Sequence, residues 1–541
     1  MKFIANKKVF CAGGLALACI AVASGLFAQN IELPDVTTVI SGDSIKAGID
    51  ALPGFDDVLV LPSDSGKVVP QLPDVDAPAS SEVATVGKSG SEKDIFAEGE
   101  IGGGYPSIFK GDFSVFRLSG LSPFQISFSY DAAGGFGNHS MNDCFSDRTT
   151  NLIVNKKFQK NQFKWGFDAS YQALSNGLQN QVKGITNLNQ DDYDAKGNFT
   201  WEIGNGFSTG LDAGLNFYHR YADVSEGKFP IAAVWIINPA AFVKWEGYGF
   251  DISLNGDYTF EDDMENVASD SVTHRGTFGF DAQWANDYVK IFGNVHGLVG
   301  NQFNKNQILA PFTVGIDAFF PVYFSNRRFS ISSKGGLESN MNRIADLERK
   351  YKFTNMVEMP QESSDWFANL EMAVPLKESF TGNLGLEYRH TAFENGYWQP
   401  DYESQTGLNA GIFTYSQKNL QQFNSKLSLT YHYKIFSITG GWNAMWMDAP
   451  VMSNPYEIFA DINFQSEESK WGIDVNGKVS LDSKDKDPVI NAEAFVRLTS
   501  AVRAVASVND GIKLFKAEPR TYARNYITRG GTATFLLKFF F

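Results

Sequence analysis

TATFLLKFFF, residues 532–541, sorts into two faces when every second position is taken. Ala533, Phe535, Leu537, Phe539 and Phe541 form a wholly apolar face, and Thr532, Thr534, Leu536, Lys538 and Phe540 form a mixed one. Side chains alternate across a β-strand, so this stretch reads as a strand with oil on one side. Either a bilayer or the core of a soluble β-sandwich supplies that oil. The rest of the chain decides between them.

The same period recurs far upstream. PFQISFSYD (123–131) sets Phe124, Ile126, Phe128 and Tyr130 against Gln125, Ser127, Ser129 and Asp131. FKWGFDASY (163–171) and FDISLNGDYTF (250–260) repeat the pattern, as do residues 380–388, 423–433 and 471–481. Period two sustained this long predicts antiparallel strands, each with one apolar face. Tight turns at Gly204–Gly206 and Gly247–Gly249 alternate with long polar connections at 137–150, 181–194 and 260–274. That alternation predicts an all-β transmembrane barrel of the outer-membrane type. At ~10 residues per strand and as many again for turn and loop, residues 95–541 predict ~18–22 strands. The final strand then faces lipid through Phe535, Leu537, Phe539 and Phe541 and closes the sheet onto its first strand near residues 95–104.

The bulk numbers agree. Phe occurs 46 times and aromatics make up 14% of the chain, yet mean hydropathy is −0.21, so the rings are dispersed and not gathered into long apolar runs. Past the first thirty residues the most apolar run is FPIAAVWIINPAAFV (229–243), too short for a spanning helix of ~20 residues and broken by Pro230 and Pro239. The first 28 residues read as a secretory signal peptide, with Lys2, Lys7 and Lys8 ahead of an apolar core and cleavage after Ala28. A lipoprotein signal at Cys19 is the rival reading. Cleavage after Ala28 leaves one cysteine, Cys144, and hence no internal disulfide. A formal charge of −15 argues against nucleic acid as a partner.

Residues 29–94 differ from all that follows, with 12 acidic and 4 basic residues, six prolines and a single aromatic, Phe55. So acidic and proline-broken a segment buries little apolar surface. It reads as an extended periplasmic linker, or as an arm that docks a periplasmic partner through strand addition.

ASVNDGIKLFKAEPRTYARNYITRGGTATFLLKFFF (506–541) resembles the end of the barrel of TonB-dependent outer-membrane receptors, with Asn509, Tyr522, Tyr526, Gly530, Gly531 and Phe541 in the matching places. An amphipathic last strand ending in an aromatic also resembles the signal read by the outer-membrane assembly machinery. DVTTV, Asp35, Val36, Thr37, Thr38 and Val39, resembles the short box that contacts TonB. Such receptors carry a folded plug ahead of the barrel. Residues 29–94 are too few and too rich in proline to make one, so the resemblance implies a plugless relative.

No catalytic constellation, metal-ligand spacing or phosphate loop stands out, and neither enzyme activity nor a cofactor is expected. The carboxylates of DDYDAKGN (191–198) lack the spacing of a calcium loop and read as a solvated loop. The polar faces of the strands carry the functional expectation. Lys110, Asp112, Gln125, Asp131, Asp168, Asp251, Asp257 and Asp474 are candidates to line an aqueous lumen. The expected function is passage or uptake of a small hydrophilic solute across the outer membrane. A surface adhesin or partner-docking barrel, and a fatty-acid-type transporter, are the alternatives.

Overall fold

A computed structural model describes residues 95–541 apart from 118–121, 137, 266–271, 302–307, 323–324, 357, 403–411, 467, 483–484 and 486. The leader, the acidic segment 29–94 and the DVTTV stretch lie outside the described residues. Twenty-two antiparallel strands form one closed sheet, each bonded to its neighbours in sequence. Closure is made by Phe96–Tyr105, which pairs on one side with Ile108–Arg117 and on the other with Thr532–Phe540. At that seam Ile101 lies opposite Leu537, Gly103 opposite Phe535 and Glu100 opposite Lys538. Ala97 and Phe541 exchange backbone hydrogen bonds of 3.0 and 2.7 Å. No unpaired edge remains along this pair, the condition a barrel meets in a medium without water.

One rim of the barrel carries short turns and the other carries the long connections, together with two-residue turns at 106–107 and 225–226. Asn205 and Gly206, at φ 52° and 82°, join two strands in two residues, and Tyr248 and Gly249, at 53° and 81°, do the same. Both central residues are left-handed, the geometry whose twist matches that of the flanking strands. At the opposite rim lie the connections 135–145, 178–184, 341–362, 392–420 and 510–531.

Strand length varies around the barrel. The seam strands Phe96–Tyr105 and Thr532–Phe540 have 10 and 9 residues, whereas Phe207–Val224 and Gly227–Gly247 have 18 and 21. This corrects two sequence expectations. Most of 181–194 is strand, since Ile185–Gly204 starts there, and DDYDAKGN lies wholly inside that strand. The ladder satisfies the backbone above an apolar band as well as within it. A strand therefore runs on with polar residues that read as loop.

Alternation is visible in the side chains. Phe535 is 55% exposed on the outside while its neighbour Leu536 is 7% exposed. Outward aromatics stand in two rows. One follows the short-turn rim, with Phe163 stacked on Trp201 and Phe207 beside Trp245. The other runs Tyr171–Tyr193–Phe217–Trp235, with ring centroids 4.8, 6.1 and 4.5 Å apart. The apolar run 229–243 is explained by its two faces: Trp235, Ile237 and Val243 point out, and Ala232, Val234 and Ile236 are buried on the inside under a helix.

Candidate functional site: a capped lumen

Arg220 decides which face is the inner one. Its side chain is 1% exposed and points from Phe207–Val224 onto a short helix, α1 (Ile344–Lys350), in the connection 341–362. There it pairs with Glu348, also 1% exposed, and donates to the carbonyl of Thr354. Tyr218 Oη donates to Glu348 Oε2 at 2.6 Å and the Met356 amide donates to Oε1 at 2.9 Å. Gln190 Nε2 donates to the Glu348 carbonyl at 3.2 Å. Arg349 reaches Asp192 at 2.9 Å and Gln172 at 3.2 Å. A connection that starts at the end of Ser325–Asn340 is thereby fastened to three strands on a separate arc of the wall.

Apolar packing completes this cap. Ile344, Ala345, Leu347 and Met356 pack on Tyr218, Ala232, Val234, Ile236 and Trp398. A second cluster gathers Leu178, Val182, Phe353, Ile412, Phe413 and Tyr526 from four different connections. Phe353 stacks on Tyr526 with centroids 3.8 Å apart, and Tyr522 Oη accepts from the Lys352 amide at 2.8 Å. Gln179 binds the backbone of Ile527 twice, donating to its carbonyl at 2.8 Å and accepting from its amide at 2.9 Å. Arg529 ties the last connection to Asp131 at 2.6 Å and to Asp147. Between 341–362 and the small hairpin Tyr397–Pro400/Tyr415–Lys418 lies a cleft of ≈ 330 Å³ lined by Glu358, Gln361, Trp398, Tyr415 and Gln417.

Following the register from strand to strand puts all eight candidate lumen residues on the face that carries Arg220. Lys110 pairs with Asp131 at 3.3 Å. Asp112 lies opposite Glu100, and Asp168 opposite Lys196. Gln125 donates to Ser127 at 3.0 Å, and Asp474 accepts from Asn463 at 3.2 Å. Asp251 meets Lys244 at 2.8 Å and Asp257 is 4.0 Å from Arg275. Leu537, Phe539 and Phe541 share the outward face of Phe535. Sequence reasoning missed the cap itself: Tyr218, Arg220, Glu348 and Phe353 were not singled out. The signal available was the run 229–243, apolar on both faces where a lumen-lining strand is polar on one.

Burial pushes the Lys350 ammonium down to about 8, against an ordinary value of 10.5. The folded cap thus disfavours the charged form. Below about pH 8 the amine is protonated whether the cap is docked or loose, and the penalty stands in full. Between about pH 8 and 10.5 the undocked state holds the extra proton, so cap stability rises with pH. Tryptic cleavage within 341–362 should slow over that window relative to an exposed reference site; an unchanged ratio contradicts the burial of Lys350.

Comparison with known proteins reaches the fold and stops there. No protein-family model matches the chain, and no curated protein does. The siderophore receptor PirA from Pseudomonas aeruginosa is similar at TM-score 0.58 and 10% identity, over 83% of this chain and 80% of that one. The FrpB iron transporter from Neisseria meningitidis gives 0.58 and 10% over 83% of each chain. A variant of the ferric enterobactin receptor PfeA from Pseudomonas aeruginosa gives 0.60 and 9% over 83% and 80%. In architecture the chain resembles the 22-strand barrel of TonB-dependent outer-membrane receptors, the likeness that residues 506–541 suggested.

Proposed function

We propose that the protein is an outer-membrane transport barrel for small hydrophilic solutes, without a folded plug, whose outward mouth is closed by its own connections. The spacing of the aromatic rows supports the membrane setting. Trp235 and Trp245 lie ten residues apart on one strand, about 33 Å of chain. Tilted at ~40°, that length rises about 25 Å, the height of the apolar band of an outer-membrane barrel. The rings then sit at the two headgroup levels, and the cap stands above the outer one. Residues 29–94, with Asp35–Val39, would meet a periplasmic partner, and the face of Phe535, Leu537, Phe539 and Phe541 would meet lipid and the assembly machinery.

The observation that carries the reading is the cap, a packed core built across the mouth from connections that start on separate arcs of the wall. A barrel of this width has room for an aqueous path. A side-chain core placed over that path is a closure that must shift for passage. Replacing residues 344–356 with a short Gly-Ser segment should turn a mostly silent protein into one with frequent, large conductance steps in planar bilayers. Absence of conductance from the shortened protein, together with absence of solute flux in liposomes, defeats the proposal.

A further inference from the structure

Resting on the pore reading, we infer that the lumen favours cationic solutes over anionic ones. The charge on the inner wall is unequal and follows from register. On the adjoining strands Phe250–Asp263 and Val272–Ala285 the inner face carries Asp251, Asp257 and Asp281, all partly open to the lumen, against a single base, Arg275. Glu261 and Asp263, farther along, are buried and stand outside that balance. On the opposite arc Glu493 lies directly across from Asp474, and Asp461 follows on the next strand.

Lys110, Lys478 and Lys538 each pair with one carboxylate, but several other bases are shared. Arg389 serves Glu338, Asp365 and Glu387 at 2.8, 2.7 and 2.5 Å. Lys244 serves Glu246 and Asp251 at 2.5 and 2.8 Å. Arg275 divides between Asp257 and Glu362. Others lie on aromatic faces, as Lys426 does over Phe459 and Arg503 over Phe495. One base divided among two or three carboxylates leaves the patch negative. A water-filled lumen inside a low-dielectric wall focuses that field along its axis. Cations are concentrated there and anions are held back.

The test uses the full chain carrying the 344–356 replacement, in planar bilayers under a tenfold KCl gradient. The reversal potential should lie on the potassium side, with a permeability ratio of about threefold or more for so uneven a wall. Asp251→Asn, Asp257→Asn and Asp281→Asn together should lower that ratio by about half. Asp461→Asn with Glu493→Gln, on the other arc, gives an independent reduction if the first set fails to assemble. A reversal potential at zero or on the chloride side overturns cation preference while the pore stands. No current at all removes the pore reading and the preference with it.

Discussion

Arg220→Ala loosens the cap by about 3–5 kcal/mol, the loss expected when one partner of a buried ion pair is removed. The substitution strips Glu348 of its cation while Tyr218 and the Met356 amide still hold it in place, buried. It also frees the Thr354 carbonyl. Desolvation falls on the carboxylate left behind, and the cheapest relief is to carry α1 back into water. Trypsin should then cut after Arg343, Arg349 and Lys352 at least tenfold faster than in the parent, while barrel strands stay resistant. Bilayer recordings should show more open time. Replacing both partners, Arg220→Met with Glu348→Leu, removes the stranded charge and should restore most of the protection, since apolar exchange of a buried pair is near neutral. Cleavage rates equal to the parent's in Arg220→Ala mean that the pair does not fasten the cap.

Gly104→Val prevents the barrel from closing. Gly104 pairs with Thr534 at the seam, and a Cβ there would fall inside the van der Waals envelope of the Ala533 carbonyl oxygen. Gly102 stands in the same relation to the carbonyl of Phe535. Main chain, unlike a flexible side-chain end, cannot step aside without opening the ladder. First and last strands are each held on their other side, by Ile108–Arg117 and by Val502–Asn509, so neither can slide away from the clash. Heat-modifiable migration on gels, the mark of a closed barrel, should vanish for Gly104→Val. It should persist for Gly197→Ala, where a Cβ meets nothing within 4 Å. Equal migration of both variants would show that the seam tolerates a side chain.

The barrel was legible because its outer face answers to one solvent. Every outward position has the same demand, so period two survives from Phe124 to Phe541 and registers in sequence without knowledge of any partner strand. Tight turns were legible for an equally local reason, the left-handed backbone at Asn205 and Gly206. The cap was not, because its contacts join positions that nothing local relates: Tyr218 with Glu348 across 130 residues, Gln179 with Ile527 across 348. Asp191–Asn198 were misread for a third reason. Asp191 and Asp192 lie beyond the outer aromatic row, where a strand needs its ladder but not its oil. Asp194, Lys196 and Asn198 lie between the rows on the inner face, and their outward neighbours Ala195 and Gly197 are too small to mark a strand. The eight lumen candidates came from the same outer periodicity, as the residues it leaves over.

The bonds between Gln179 and Ile527 also impose an order on how the molecule is made. One partner lies early in the cylinder and the other in the last connection, so the latch cannot form until that connection has arrived. A maturing molecule therefore passes through a stage that is round but uncovered. Contacts of such long sequence separation form late because the chain entropy they cost comes before their reward. The wall is thus complete before this latch of the mouth is set, and a molecule stalled between the two steps stands in the envelope with its mouth unlatched.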